Sequence, residues 1–262
     1  MPSPETPLKI VGFGACMVTG YPLPQEVSFF SRLVKELAAV RPVDAKVVSL
    51  NGFLIDRARR HLAAKVLSHH PPDYVVVQFG SSDAIAELQR YLRRRLGRLR
   101  KASARKGLSA AANNPSPVRA ASLAFSVRWR VKGLIARWLR VPPRTPRQVY
   151  RQSVAAIASE IIASGGKPII LTPFLFGDSY SNEFGAQYAA DVENLGRELG
   201  FAVVNSQQVL RQYPACEVLL ADGFHLSDSS STVRTLPNDK FSKNAGFFMH
   251  LNRPISKCSA KF

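Results

Sequence analysis

Two short segments carry residue types suited to nucleophilic chemistry. Gly12-Phe13-Gly14-Ala15-Cys16-Met17-Val18-Thr19-Gly20 sets a thiol in a tight glycine turn. Asp222-Gly223-Phe224-His225-Leu226 sets a carboxylate three residues before an imidazole. A thiol at the start of a helix is favoured as its thiolate, the nucleophilic form. A carboxylate beside a histidine orients the ring and stabilises the imidazolium, leaving the other nitrogen to act as base. Each segment also has a plain structural reading: Cys16 as a small buried thiol, His225 as a surface loop residue. Two further turns, Asn51-Gly52 and Gly80-Ser81-Ser82-Asp83, are by themselves ordinary turn chemistry.

Other chemistries are excluded by spacing. The glycine turn is not a dinucleotide fingerprint, because Met17 stands where a third glycine is required, and no Gly-Lys-Ser/Thr follows to make it a P-loop. Cys16, Cys216 and Cys258 lie far apart with no CxxC, which argues against a disulfide scaffold, a zinc ribbon or an iron–sulfur site. His61, His69 and His70 read as polar positions on the face and end of a helix. No cofactor and no metal is implied.

The elements that must position these turns read as alternating strands and helices. Short β-branched runs at 8–13, 45–50, 74–79, 168–172 and 201–205 look like buried parallel strands. Helix candidates lie between them at 25–40, 55–69, 147–163 and about 183–199. The expected fold class is α/β, a doubly wound, mainly parallel five-stranded sheet in a flavodoxin-like three-layer α/β/α arrangement. Ligands of such sheets bind at the carboxyl ends of the strands, where the glycine turns fall.

Taken together, the pieces resemble the SGNH hydrolases, the GDSL-type esterases. Their first block reads Gly-Asp-Ser-(Ile/Leu)-Thr-x-Gly, and Gly14-Ala15-Cys16-Met17-Val18-Thr19-Gly20 occupies it, with Cys16 at the nucleophile position. The second-block glycine maps to Gly52, whose backbone N–H would face the oxyanion. The third block, Gly-x-Asn-Asp, maps to Gly80-Ser81-Ser82-Asp83, with Ser82 in place of the oxyanion-hole asparagine. The last block, Asp-x-x-His, is intact as Asp222 and His225. The resemblance covers residues 8–89 and 148–228. It implies a Cys16–His225–Asp222 triad, an oxyanion hole at Cys16, Gly52 and Ser82, and a small acylated substrate (glycan, lipid or thioester). The alternative is a catalytically impaired binding domain of the same fold. The literal Gly177-Asp178-Ser179 is a decoy, since it follows the fourth strand.

Composition bounds the rest. The chain has 262 residues, 46% of them hydrophobic, enough for a packed core. Its 36 Lys+Arg against 18 Asp+Glu leave a charge of +18. Half of the bases, 18, lie between Arg90 and Arg151, and no acid occurs between Glu87 and Glu160, so the remainder is neutral. Residues 90–147 thus read as a basic amphipathic helical insertion after the third strand. One predicted helix places Leu123, Val127, Val131, Leu134, Ile135 and Trp138 on one side, with Arg119, Arg130, Arg137 and Arg140 opposite and Arg128 on the apolar flank. Two readings stand: a lid packing that stripe on the domain, or an interfacial helix on anionic membrane. Nucleic acid ranks third, for want of a recognisable module. Residues 229–262 read as an irregular tail. No apolar run reaches the roughly 18 residues of a spanning helix, and Met1–Leu8 lacks a basic start and an apolar core for a signal peptide. The expected location is cytoplasmic, with peripheral membrane attachment under the second reading of the insertion.

Overall fold

A computed structural model describes residues 6–22, 24–68, 71–96, 123–174, 176–211 and 225, the side chains of 96 and 123–126 excepted. Five parallel strands form one sheet in the order β2-β1-β3-β4-β5: β1 Leu8–Gly14, β2 Val43–Ser49, β3 Tyr74–Gln78, β4 Lys167–Leu171 and β5 Ala202–Val204. Helices cover both faces, as the alternating pattern requires. The central strands are the β-branched and aromatic runs: Val75, Val76 and Val77 of β3, Ile10, Val11 and Phe13 of β1, and Ile169 and Ile170 of β4 are all buried. Pro168 in β4 sits one residue before the segment paired with β5, so its missing N–H costs no ladder bond to that neighbour.

The helices follow their buried stripes. A 3-10 turn at Gln25–Val27 precedes α2, Phe29–Ala38, because Ser28 breaks the run and caps the helix by accepting from the Ser31 N–H at 3.1 Å. Phe30 of α2 lies under Gly12, where a Cβ would come within 2.9 Å of the ring. The predicted helix from residue 55 is interrupted. It forms α3, Ile55–Arg59, and then a wide π turn at Ala63–Leu67, and the change of winding keeps Ile55, Ala58, Leu62 and Val66 buried. Helix α7, Arg147–Ala163, matches its predicted span and buries Tyr150, Val154, Ile157 and Ile161. Helix α8, Ser179–Leu199, starts four residues earlier than the periodicity suggests. Asp178 caps it, accepting from the Ser181 N–H at 2.7 Å. The Gly-Asp-Ser decoy is therefore a helix start.

Part of the basic segment is described. Helix α5, Leu88–Leu96, leads into it and α6, Leu123–Trp138, follows. They share a small second core of Ala86, Leu88, Ala136 and Val141. Helix α6 docks with the side that carries Trp129, Gly133 and Ala136. Trp129 and Ala136 are buried, and a Cβ on Gly133 would touch Asp178 at 3.3 Å. The apolar stripe of the sequence reading points the other way: Val127, Val131, Leu134, Ile135 and Trp138 are all exposed. A lid seated by that stripe is not what the described residues form. Residues 97–122 and the 229–262 tail lie outside the described residues, as do His69 and His70. Among the described residues no helix is long and apolar enough to cross a membrane.

Candidate active site

The site begins with strand order. Because β1 lies between β2 and β3, the turns after these three strands are neighbours at one edge of the sheet. The first turn runs from Gly14 through Ala15 into a single helical turn, α1, Cys16–Thr19. Gly14 is obligatory there, since a Cβ would meet the Gln78 carbonyl oxygen at 2.6 Å and Val18 at 2.3 Å. That close approach lets the Ala15 N–H donate to the Gln78 carbonyl of β3 at 3.1 Å. On the other side the Leu50 N–H donates to the Gly14 carbonyl at 2.8 Å, and Ser49 Oγ donates to the Ala15 carbonyl at 3.3 Å. Cys16 is thereby placed at the first position of α1, 7% exposed. Its carbonyl accepts from the Thr19 hydroxyl at 2.9 Å and the Tyr21 N–H at 3.1 Å. The chain then leaves through Gly20, so the helix start expected at Cys16 is a single turn, with the field of one turn only.

Gly52 sits in the turn after β2. The Phe53 N–H donates to the Leu50 carbonyl at 3.1 Å, and Gly52 takes φ +76°, as the third residue of a type II turn does. Among the described residues nothing lies within 4 Å of where its Cβ would be, so this glycine is there for its dihedral. Ser49 Oγ also contacts Asn51 Oδ1 at 2.7 Å, bracing the same turn.

The third turn is the most densely bonded. Gly80 has φ +104° and leads into α4, Ser81–Ala84. Asp83 is fully buried. Its Oδ2 accepts from the Gly80 N–H at 3.1 Å, and its Oδ1 accepts from the Ile55 N–H at 3.1 Å and the Thr145 hydroxyl at 2.6 Å. Burial pushes the Asp83 carboxyl up from its ordinary value, against the opposing pull of these three hydrogen bonds. Burial, with Asp83 nearby, likewise raises the phenols of Tyr150 and Tyr188, which stack at 4.3 Å. The Tyr188 hydroxyl donates to the Thr145 carbonyl. Ser81 Oγ accepts from the Phe174 N–H at 3.0 Å, tying the loop after β4 to the same corner. Ser82, 8% exposed, has no side-chain hydrogen bond among the described residues.

His225 is described and half-buried. Its ring meets the Tyr21 ring edge-on, centroids 5.5 Å apart. Tyr21 is the residue whose N–H is bonded to the Cys16 carbonyl, so the imidazole lies beside the segment that carries the thiol. Asp222 falls outside the described residues. Among the described residues no group of three or more His, Cys, Asp or Glu side chains is placed to hold a metal ion.

Sequence reasoning missed the bracing. The roles of Ser49, Ser81 and Tyr21 depend on partners from other strands, and no local pattern marks them. Asp83 was visible as part of its block. Its union with Thr145, 62 positions away, was not.

Solved structures share this architecture. The chain superimposes on a lipase/acylhydrolase from Enterococcus faecalis with 19% identity and a TM-score of 0.55, covering 86% of this chain and 90% of that one. It superimposes on the esterase EstA from Pseudoalteromonas sp. with 12% identity and a TM-score of 0.55, covering 93% and 99%. A catalytic mutant of Axe2, an acetylxylan esterase from Geobacillus stearothermophilus, gives 12% identity and a TM-score of 0.55, covering 97% and 100%. At such identities the likeness establishes the fold. No family model matches the sequence, and no curated protein does.

Proposed function

We propose that the chain is an SGNH-like acyl-ester or thioester hydrolase, or an acyltransferase, working through Cys16, His225 and Asp222. The observation that carries this reading is the convergence at one end of the sheet: Cys16, Gly52 and Ser82 lie in the turns after three adjacent strands, and His225 packs on Tyr21, whose N–H is bonded to the Cys16 carbonyl. The solved neighbours include a lipase/acylhydrolase and an acetylxylan esterase, which supports a small acylated substrate.

The chemistry follows from the parts. His225 takes the Cys16 proton as the sulfur attacks the acyl carbonyl carbon. The carbonyl π electrons move to oxygen, where the N–H groups of Cys16 and Gly52 donate directly and the shorter Ser82 hydroxyl reaches only through a water. The oxyanion then collapses and the C–O or C–S bond to the leaving group breaks. His225 returns the proton to that group, leaving a thioester on Cys16. Water, or an acceptor hydroxyl, attacks this thioester with His225 again as base. The released thiol recovers its proton. Asp222 orients the imidazole.

Serine at position 82 is shorter than the asparagine of the family block. Losing one oxyanion donor costs about 2.7–4 kcal/mol, roughly 100- to 1000-fold in rate, so turnover is slow. Cys16→Ala abolishes hydrolysis of small aryl esters and thioesters, and Ser82→Asn accelerates it. His225→Ala slows alkylation of Cys16 near neutral pH. Equal inactivity of wild type and Cys16→Ala across such a panel, with Cys16 alkylating no faster than a free thiol, overturns the enzyme. That outcome favours the second reading, a binding domain of this fold, which the burial of Cys16 supports.

A further inference from the structure

Helix α6 has two apolar faces, and the described residues of the domain pack on one of them. Trp129, Gly133 and Ala136 turn inward, towards the start of α8. On the far side Val127 is 60% exposed, Leu134 64% and Trp138 81%, with Val131 and Ile135 also exposed. At about 100° per residue these five positions fall in one sector of roughly 100°. Such a stripe is larger than the scattered surface hydrophobics of a soluble domain and marks an interaction surface.

The edges of the stripe identify its occupant. Arg128 borders it on one side, and Arg130 and Arg137 on the other. Arg128 lies over the Trp129 ring, 5.9 Å from its centroid, and Arg137 reaches Glu183. No acidic residue occurs anywhere between Glu87 and Glu160. With Arg137 taken up by Glu183, Arg128 on one edge and Arg130 on the other keep a cationic rim that complements a plane of negative charge. Arginine stems lie along an apolar surface while their heads reach the polar layer, and tryptophan favours the same boundary.

We propose that α6 is an interfacial helix that seats Val127, Val131, Leu134, Ile135 and Trp138 in an anionic lipid surface, with Arg128 and Arg130 at the headgroups. This docking is independent of whether Cys16 turns over. The return of the segment from α6 is pinned to the Asp83 block, since Arg144 pairs with Glu87 at 3.4 Å and Thr145 bonds Asp83. A docked α6 therefore brings the strand-end corner to the lipid with it.

The chain has two tryptophans, one buried and one exposed, and this makes a direct test available. The full chain is mixed with vesicles of phosphatidylcholine alone, or with about 30% phosphatidylserine added. Flotation and tryptophan emission are then read across salt concentrations. The expected result is binding to anionic vesicles that weakens with salt, with a blue shift of emission and quenching by brominated acyl chains. Trp138→Phe keeps binding and loses the shift. Leu134→Asp with Trp138→Asp weakens binding by at least about tenfold. Both variants keep the thermal unfolding of wild type, because neither side chain is packed. Four results overturn the proposal: equal binding to neutral vesicles, binding unchanged in the double variant, retention on heparin or DNA without any vesicle binding, or a dimer that the double variant dissociates while vesicles are ignored. Hydrolytic activity, present or absent, leaves these readouts unchanged.

Discussion

The strand-end corner and helix α6 are both built around buried aromatics and glycines, yet they are held in different ways. At the corner, each turn bonds to the next: Leu50 to Gly14, Ala15 to Gln78, Gly80 and Ile55 to Asp83, Phe174 to Ser81. The bonds are between elements distant in sequence, and the polar atoms that make them lie away from water. Helix α6 is docked by a narrow inner face, by the small core it shares with α5, and by a Lys132–Asp178 pair at 3.9 Å. Its outer face, Val127, Val131, Leu134, Ile135 and Trp138, is exposed and packs on none of the described residues. The lesson is that a region can be rigidly placed by buried polar networks or loosely placed by a strip of side chains, and the second leaves a surface to spare.

The largest break in this comparison is Asp83→Ala. It strands two backbone N–H groups and the Thr145 hydroxyl, each costing about 1–3 kcal/mol, and chemical denaturation should show the loss across the whole sheet. Asp83 also gives the corner a pH signature. Because burial raises its folded pKa above the ordinary 3.8, the folded state holds that proton more tightly than the unfolded chain. The contribution is favourable at low pH and is lost as pH rises from 3.8 through the raised value. Asp83→Asn removes that slope, which denaturation midpoints across the acidic range will reveal.

Trp129→Ala tests the other region. Truncating a buried aromatic costs about 3–5 kcal/mol, here confined to the docking of α6. Amide exchange in α6 should accelerate while that of β1 and β3 is unchanged; equal acceleration everywhere would make the two regions one cooperative unit. Gly14→Ala is smaller. Overpacking costs about 1–3 kcal/mol, and the Cys16 turn must move off Gln78, so alkylation of Cys16 and the melting temperature should change together. Leu134→Ser is smallest, within about 0.5 kcal/mol of wild type, since an exposed side chain loses no packing. A larger loss would mean that the outer face of α6 is covered.

The contrast also explains how much was legible beforehand. Strands 8–13 and 74–79 were readable to within a residue because a strand buried on both faces must be apolar throughout, and turns must follow it. The turns at Gly52 and Gly80 were readable because those glycines answer a local demand of dihedral, whereas Gly14 also answers the close approach of the Gln78 carbonyl. The start of α8 was missed because Asp178 and Ser181 act through a cap, which hydrophobic period does not register.

Residue types, their order and their local periodicity already determined the sheet, its five strands and the turns that end them, since these follow from short-range sterics and from burial. The resemblance of these turns to the family blocks marked the candidates Cys16, Gly52, Ser82, Asp222 and His225. Which strand neighbours which, and so which turns meet, was decided only in three dimensions, as was the role of Asp83 as the common acceptor for Gly80, Ile55 and Thr145. The side on which α6 docks was also decided there. The helical wheel favours the outer stripe, and only the fit of Trp129 and Gly133 beside Gly177 and Asp178 selects the inner face. Contacts between residues far apart in the chain have no local signature, because their energy exists only once the chain has closed around them.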